Sequence, residues 1–165
     1  MSVRAHRDDA PASVACFVVT ISDTRTAETD ASGDAIVAAL EAAGHRVAGR
    51  QIVRDDPARV RDVVVAAASN VQAVITTGGT GITSRDSTFE AIAGLLDKRL
   101  DGFGELFRML SFAEVGSRAM ASRAVAGAHG KTLIFSMPGS TKAVRLAMSK
   151  LVAPELGHLT GELKK

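Results

Sequence analysis

The chain has 165 residues, 46% of them hydrophobic and 23% charged, with a formal net charge of +2; that is enough apolar material for one ordinary globular core. No apolar run reaches the roughly 18 to 20 residues that span a bilayer, and the first 13 residues are polar with charges of both signs, so a soluble, cytoplasmic protein with no membrane partner is expected. Basic residues are dispersed and the six aromatics are all Phe, which gives nucleic-acid binding no footing.

Residues 1–13 lack a periodic apolar pattern and are expected as a flexible tail, leaving residues 14–165 as a single domain. A strand is predicted over 14–21; it contains Cys16, the only cysteine, where an inert buried thiol is expected and no intrachain disulfide is available. A helix over 32–43 closed by Gly44 and a strand over 46–53 follow. Asp56-Pro57 supplies an N-cap and a first-turn proline for a helix to about Ser69. An apolar strand over 72–77 then runs into a glycine loop. Helices are predicted over 87–96 and 103–115, a strand over 131–136, and a helix over 141–151 after Pro138-Gly139-Ser140. This alternation implies an α/β fold: a three-layer sandwich with a mostly parallel central sheet and helices on both faces. In such sheets ligands bind beyond the carboxyl ends of the strands.

The loop Thr76-Thr77-Gly78-Gly79-Thr80-Gly81 has the composition of an anion cradle: glycines that expose amides without Cβ atoms in the way, and three hydroxyls beside them. It is not a P-loop, since no lysine precedes Lys98, and Ser84 stands where a dinucleotide fingerprint needs glycine. Ser87 and Glu90 match an S-x-x-E capping box, which keeps Asp86 beside the loop rather than inside the next helix. A carboxylate next to a phosphate cradle suggests Mg²⁺, usually held by one or two carboxylates plus substrate phosphate oxygens. Asp55 follows another predicted strand on the same rim; its neighbour Asp56 is explained as an N-cap. Ser22-Asp23 forms a further rim pair or a solvated turn, and Glu105 either contributes to the site or complements a helix dipole. Arg123 beside Ser122 suits a second phosphate, and Pro138-Gly139-Ser140 opens a helix whose amides suit another anion. The scattered histidines His6, His45, His129 and His158 form no zinc pattern, and a G-x-S-x-G elbow is absent.

The ordered set of Thr76 to Gly81, Arg85-Asp86-x-Thr88-x-Glu90-Ala91, Gly102-Phe103-Gly104-Glu105, Ser122-Arg123-Ala124 and Pro138-Gly139-Ser140 resembles the molybdenum cofactor biosynthesis proteins of the molybdopterin adenylyltransferase type, over about residues 14 to 160. The resemblance implies a trimer or hexamer that transfers AMP from ATP to molybdopterin and releases pyrophosphate. It further implies Asp55 and Asp86 as essential acidic positions, Gly78 to Gly81 as the phosphate loop, and Ser122 in the substrate pocket; Asp86 and Asp55 are the carboxylates expected to hold the Mg²⁺. In the same family's terms the alternative is a non-catalytic molybdopterin-binding or scaffold protein.

Overall fold

In the computed structural model, which describes residues 10–165, apolar runs form strands and alanine-rich intervals form helices, alternating through the first half of the chain. β1 (Ala15–Ile21), α1 (Ala31–Ala42), β2 (Arg46–Val53), α2 (Pro57–Ala68) and β3 (Ala73–Thr77) lead to α3 (Thr88–Ala93). A two-residue β4 (Lys98–Arg99), α4 (Asp101–Val115) and a 3₁₀ segment (Gly116–Ala121) follow. The hairpin of β5 (Val125–His129) and β6 (Thr132–Met137) precedes α5 (Thr141–Ala147), a π turn (Met148–Val152) and α6 (Ala153–Leu163).

The six strands make one sheet in the order β2-β1-β3-β6-β5-β4. β1 runs parallel to β2 and β3, and β3 parallel to β6; β5 alone is reversed, pairing antiparallel with β6 and β4. All five residues of β3 are buried, the signature of a strand covered on both faces. On one face Val18, Ile75 and Phe135 pack with Ile36 of α1, Phe107 of α4 and Leu156 of α6. On the other, Val19, Val74 and Ile134 pack with Val60 of α2 and Ile92 of α3. This is the expected sandwich of helices, mostly parallel sheet and helices.

Local chemistry explains most boundaries. Asp56 caps α2 by accepting from the Ala58 and Arg59 amides at 3.0 and 3.2 Å, ahead of Pro57. The expected capping box of α3 does not form, because the Ser87 hydroxyl turns to Asp55 and the Glu90 carboxylate to Arg123. The helix expected to stop at residue 151 instead continues through the π turn into α6, with Pro154 in its first turn; one wide turn accommodates a residue that lacks an N–H. Of the expected tail, residues 1–9 lie outside the described residues. Residues 10–13 run along the domain, where a Cβ on Gly157 of α6 would come within 2.8 Å of the Pro11 carbonyl oxygen.

Candidate active site

The loops after β1, β2, β3 and β6 all leave the sheet at the carboxyl ends of parallel strands. The chain turns to opposite sides after β1 and β3, so a crevice opens between them. The glycine loop occupies it. Gly78 (φ +103°) lies so close to β1 that a Cβ would be 2.1 Å from the Ile21 carbonyl oxygen. Gly79 (φ +70°) leaves equally little space, with a Cβ position 1.9 Å from Thr88 Oγ1 and 2.9 Å from Asp55 Oδ2. The Gly78 amide donates to the Met137 carbonyl at 2.9 Å, tying the loop to the end of β6. Among the described residues, the Gly79 and Thr80 amides donate to no protein acceptor.

Both predicted aspartates border this loop. Asp55 Oδ1 accepts from the Ser87 hydroxyl at 2.9 Å, while Oδ2 faces Gly79. Burial pushes the Asp55 carboxyl above its ordinary pKa; the Ser87 hydrogen bonds pull the other way, and the nearby charges of Asp86 and Asp23 push it up further. Asp86 sits outside α3, as expected, with Oδ2 accepting from the Thr83 hydroxyl at 2.6 Å and the Thr83 amide at 2.9 Å. A Cβ on Gly81 would approach that same oxygen to 2.7 Å. The Thr83 hydroxyl in particular holds Asp86 below the usual carboxylate range, so it stays ionised at neutral pH. Asp23, expected only as a rim residue, accepts from the Asp55 amide at 3.2 Å and pairs with Arg85. That Arg85 hydrogen bond lowers its pKa.

The loop hydroxyls are its floor rather than its lining. Thr76, Thr77 and Thr80 are all buried. Thr77 Oγ1 donates to the Pro138 carbonyl at 2.8 Å, and among the described residues Thr76 Oγ1 has no partner. The Pro138-Gly139-Ser140 turn abuts the loop, with a Cβ position on Gly139 only 3.4 Å from Gly78 Cα; Ser140 caps α5 by accepting from the Ala143 amide. The two glycine-containing turns therefore form one surface.

Two clefts lie near the loop, one beside Asp55 and the other beside Arg123. One, of about 600 Å³, lies between Asp23, Arg54, Asp55, Arg85 and Ser87. The other, of about 380 Å³, brings together Phe89, Arg99, Glu105, Arg108, Ser122 and Arg123. Glu105 thus faces a cleft with Ser122 and Arg123 but lies in the second turn of α4, which begins at Asp101, two residues earlier than expected. The Ser122 carbonyl accepts from Arg108 at 3.4 Å. Arg123 donates to the Gly81 carbonyl at 2.9 Å and to the Asp86 carbonyl at 3.3 Å, and pairs with Glu90.

Sequence reasoning missed a buried network behind the loop. Asp30 caps α1 through the Gly33 amide at 3.0 Å and also accepts from Thr20 Oγ1 and Arg50, each at 2.7 Å. Ser32 donates to the Gly139 carbonyl at 2.8 Å. Asp30 directly before an alanine-rich helix was a legible N-cap signal; its pairing with Arg50 had no local signature. Cys16 is fully buried, and burial pushes its thiol up to about 12, which makes it the inert core residue expected.

Residues 17–158 match the family described as "Probable molybdopterin binding domain". Molybdenum cofactor biosynthesis protein B of Bacillus cereus is 54% identical over 168 residues, spanning 100% of this chain and 99% of that protein. A crystal structure of a molybdenum cofactor biosynthesis protein B superposes with a TM-score of 0.90 at 55% identity, covering 94% of this chain and 98% of that one. The tungsten cofactor synthesizing protein MoaB from Pyrococcus furiosus superposes at 0.85 with 35% identity, covering 94% of this chain and 100% of its own. The glycine loop, its two aspartates and the abutting Pro-Gly-Ser turn thus lie within the matched span, and the chain belongs to the molybdopterin-binding domain family of molybdenum cofactor biosynthesis proteins.

Proposed function

We propose that this protein is a molybdopterin adenylyltransferase, using Mg²⁺ to transfer AMP from ATP to molybdopterin. The observation that carries the reading is the placement of two carboxylates against a glycine loop with positive φ at Gly78 and Gly79, Asp55 beside Gly79 and Asp86 beside Gly81. A terminal phosphate oxygen of molybdopterin attacks the α-phosphorus of ATP; the new P–O bond forms as the bond to the β-phosphate breaks, and pyrophosphate leaves. The attacking oxygen is already an anion, so no side-chain nucleophile or base is needed. The work is bringing two anions together in line.

The chain's residues fit that task. The Gly79 and Thr80 amides, which donate to no protein acceptor among the described residues, would donate to phosphate oxygens. The cleft beside Asp55 and the cleft beside Arg123 would accommodate the two substrates. Asp86, fixed and kept ionised by Thr83, and Asp55, fixed by Ser87, would hold the metal; two carboxylates plus substrate oxygens are the donor set Mg²⁺ takes. When bound it would supply the positive charge that offsets repulsion between the two anions and stabilises departing pyrophosphate. Ser122 and Glu105 border the cleft on the Arg123 side, where substrate contacts are expected. Self-association as a trimer or hexamer completes the proposal, with exposed Leu106, Met109, Phe112 and Met120 as the apolar material available for it.

The test is pyrophosphate release from purified protein given molybdopterin, ATP and Mg²⁺, beside folded Asp55→Asn and Asp86→Asn variants. Release by wild type and its loss in both variants is expected. Molybdopterin binding without release would make the protein a non-catalytic binder or scaffold, and unchanged release by Asp86→Asn would refute the assigned role.

A further inference from the structure

The guanidinium of Arg123 touches four parts of one loop region. Nε donates to the Gly81 carbonyl at 2.9 Å, Nη2 to the Asp86 carbonyl at 3.3 Å, Nη1 pairs with the Glu90 carboxylate, and Cζ lies 5.1 Å from the centre of the Phe89 ring. Its side chain is only 25% exposed. Arg123 itself stands at the entrance to β5, 42 residues from Gly81. One rigid fork therefore ties the end of the glycine loop, the main chain carrying Asp86 and the first turn of α3 to the reversed strand of the sheet. All three of its nitrogens are engaged with protein groups, an arrangement suited to holding a backbone shape rather than meeting an incoming phosphate.

We propose that Arg123 is a positioning residue that braces the loop from Gly78 to Asp86, setting where the Gly79 and Thr80 amides and the Asp86 carboxylate stand. The bracing itself is a property of the fold. Its consequence for turnover rests on the adenylylation reading above.

Lysine separates this role from phosphate ligation, because it keeps the charge at position 123 but lacks the planar fork. The measurement is hydrogen exchange by mass spectrometry over residues 78–87 in wild type, Arg123→Lys, Arg123→Gln and Glu90→Gln, with β1 and β6 amides as internal control. A brace predicts that Arg123→Lys and Arg123→Gln both speed exchange in 78–87 by roughly tenfold, the equivalent of one lost charge-assisted hydrogen bond, while β1 and β6 stay protected. Glu90→Gln, which leaves the two carbonyl contacts intact, should give a smaller increase. Loop exchange equal to wild type in both Arg123 variants would overturn the proposal. In steady state the brace predicts kcat reduced about tenfold in both variants with KM for ATP changed less than about threefold. A loss confined to KM in Arg123→Gln and rescued by lysine would identify a phosphate ligand and overturn it too. Should wild type release no pyrophosphate, the enzymatic reading fails, and the exchange result alone still decides the brace.

Discussion

The Ser87 hydroxyl donates to Asp55 Oδ1 at 2.9 Å, joining residues 32 positions apart and anchoring the segment after the glycine loop to the end of β2. This bond takes up a hydroxyl that local sequence assigns to capping α3, and among the described residues no side chain caps that helix. The helix forgoes a local contact worth about 1 kcal/mol, and the site gains an oriented carboxylate.

The surroundings of Asp55 disfavour its ionised form. Burial raises its pKa first, the Ser87 bonds oppose that, and the Asp86 and Asp23 charges add to the rise. A folded-state pKa above the unfolded value means that the stability contribution is complete below the unfolded pKa of about 4 and is lost as pH rises through the folded value. Ionisation of Asp55 is therefore a liability to the fold. Asp55→Asn should raise Tm by roughly 1 to 3 °C at pH 7 and abolish pyrophosphate release, the Tm gain fading below about pH 4. A Tm lower than wild type at pH 7 would contradict this reading of the carboxylate.

The loop glycines should separate by what each would strike. An alanine Cβ at Gly78 meets the Ile21 main chain at 2.1 Å with φ at +103°, and neither can yield cheaply. At Gly81 it meets the Asp86 carboxylate at 2.7 Å with no positive φ, and that side chain can swing aside. Gly78→Ala should cost about 3 kcal/mol or more, whereas Gly81→Ala should stay within about 1 kcal/mol of wild type and still lose pyrophosphate release by displacing Asp86. Urea unfolding of the two variants decides this, and equal destabilisation would contradict it.

The legible part of the site was whatever the chain states locally. The β2 bounds, the Asp56-Pro57 start of α2, the glycine loop and the position of Asp86 all follow from neighbouring residues. β4 and β5 escaped notice because their signal is long-range: Lys98–Arg99 is two residues long, and Val125–His129 carries a mid-strand glycine. That glycine is required by its partner, since a Cβ on Gly127 would lie 2.2 Å from the Lys98 carbonyl oxygen. Ser87 and Glu90 misled for the same reason, as partners 32 and 33 residues away outcompeted a local cap. Asp30 with Arg50, and Arg123 with the Gly81 carbonyl, belong to this class of contact that only the fold creates.

Asp30 should respond to pH in the sense opposite to Asp55. It is 1% exposed. Burial pushes its carboxyl up, but the Thr20 hydroxyl, the Gly33 amide and Arg50 more than offset this, so its pKa is lowered. A depressed folded pKa gives stability that is present above the unfolded value of about 4 and lost as pH falls through the folded one. Asp30→Asn should therefore destabilise by about 2 kcal/mol at pH 7, less than for a wholly buried pair because solvent reaches Arg50. The gap to wild type should narrow below about pH 4. Denaturation at pH 7 and pH 3 checks both signs; a gap that widens in acid would show that the carboxylate is not what holds this network.

The outer face of α4 leads to the last expectation. Phe107 of this helix points inward and is 1% exposed, packing on Phe103 with ring centres 6.4 Å apart. The outward side carries Leu106, Met109, Phe112 and Val115, with Met120 of the following 3₁₀ segment, and Phe112 remains 63% exposed. Apolar side chains concentrated on one helix face, while the core beneath is complete without them, suit burial against another subunit. Light scattering of wild type should give the mass of a trimer or hexamer. Phe112→Glu should shift it to monomer, since a charge would have to be desolvated at the contact, without changing the circular dichroism of the fold. A monomeric wild type, or an unchanged mass for Phe112→Glu, would remove α4 as the association face.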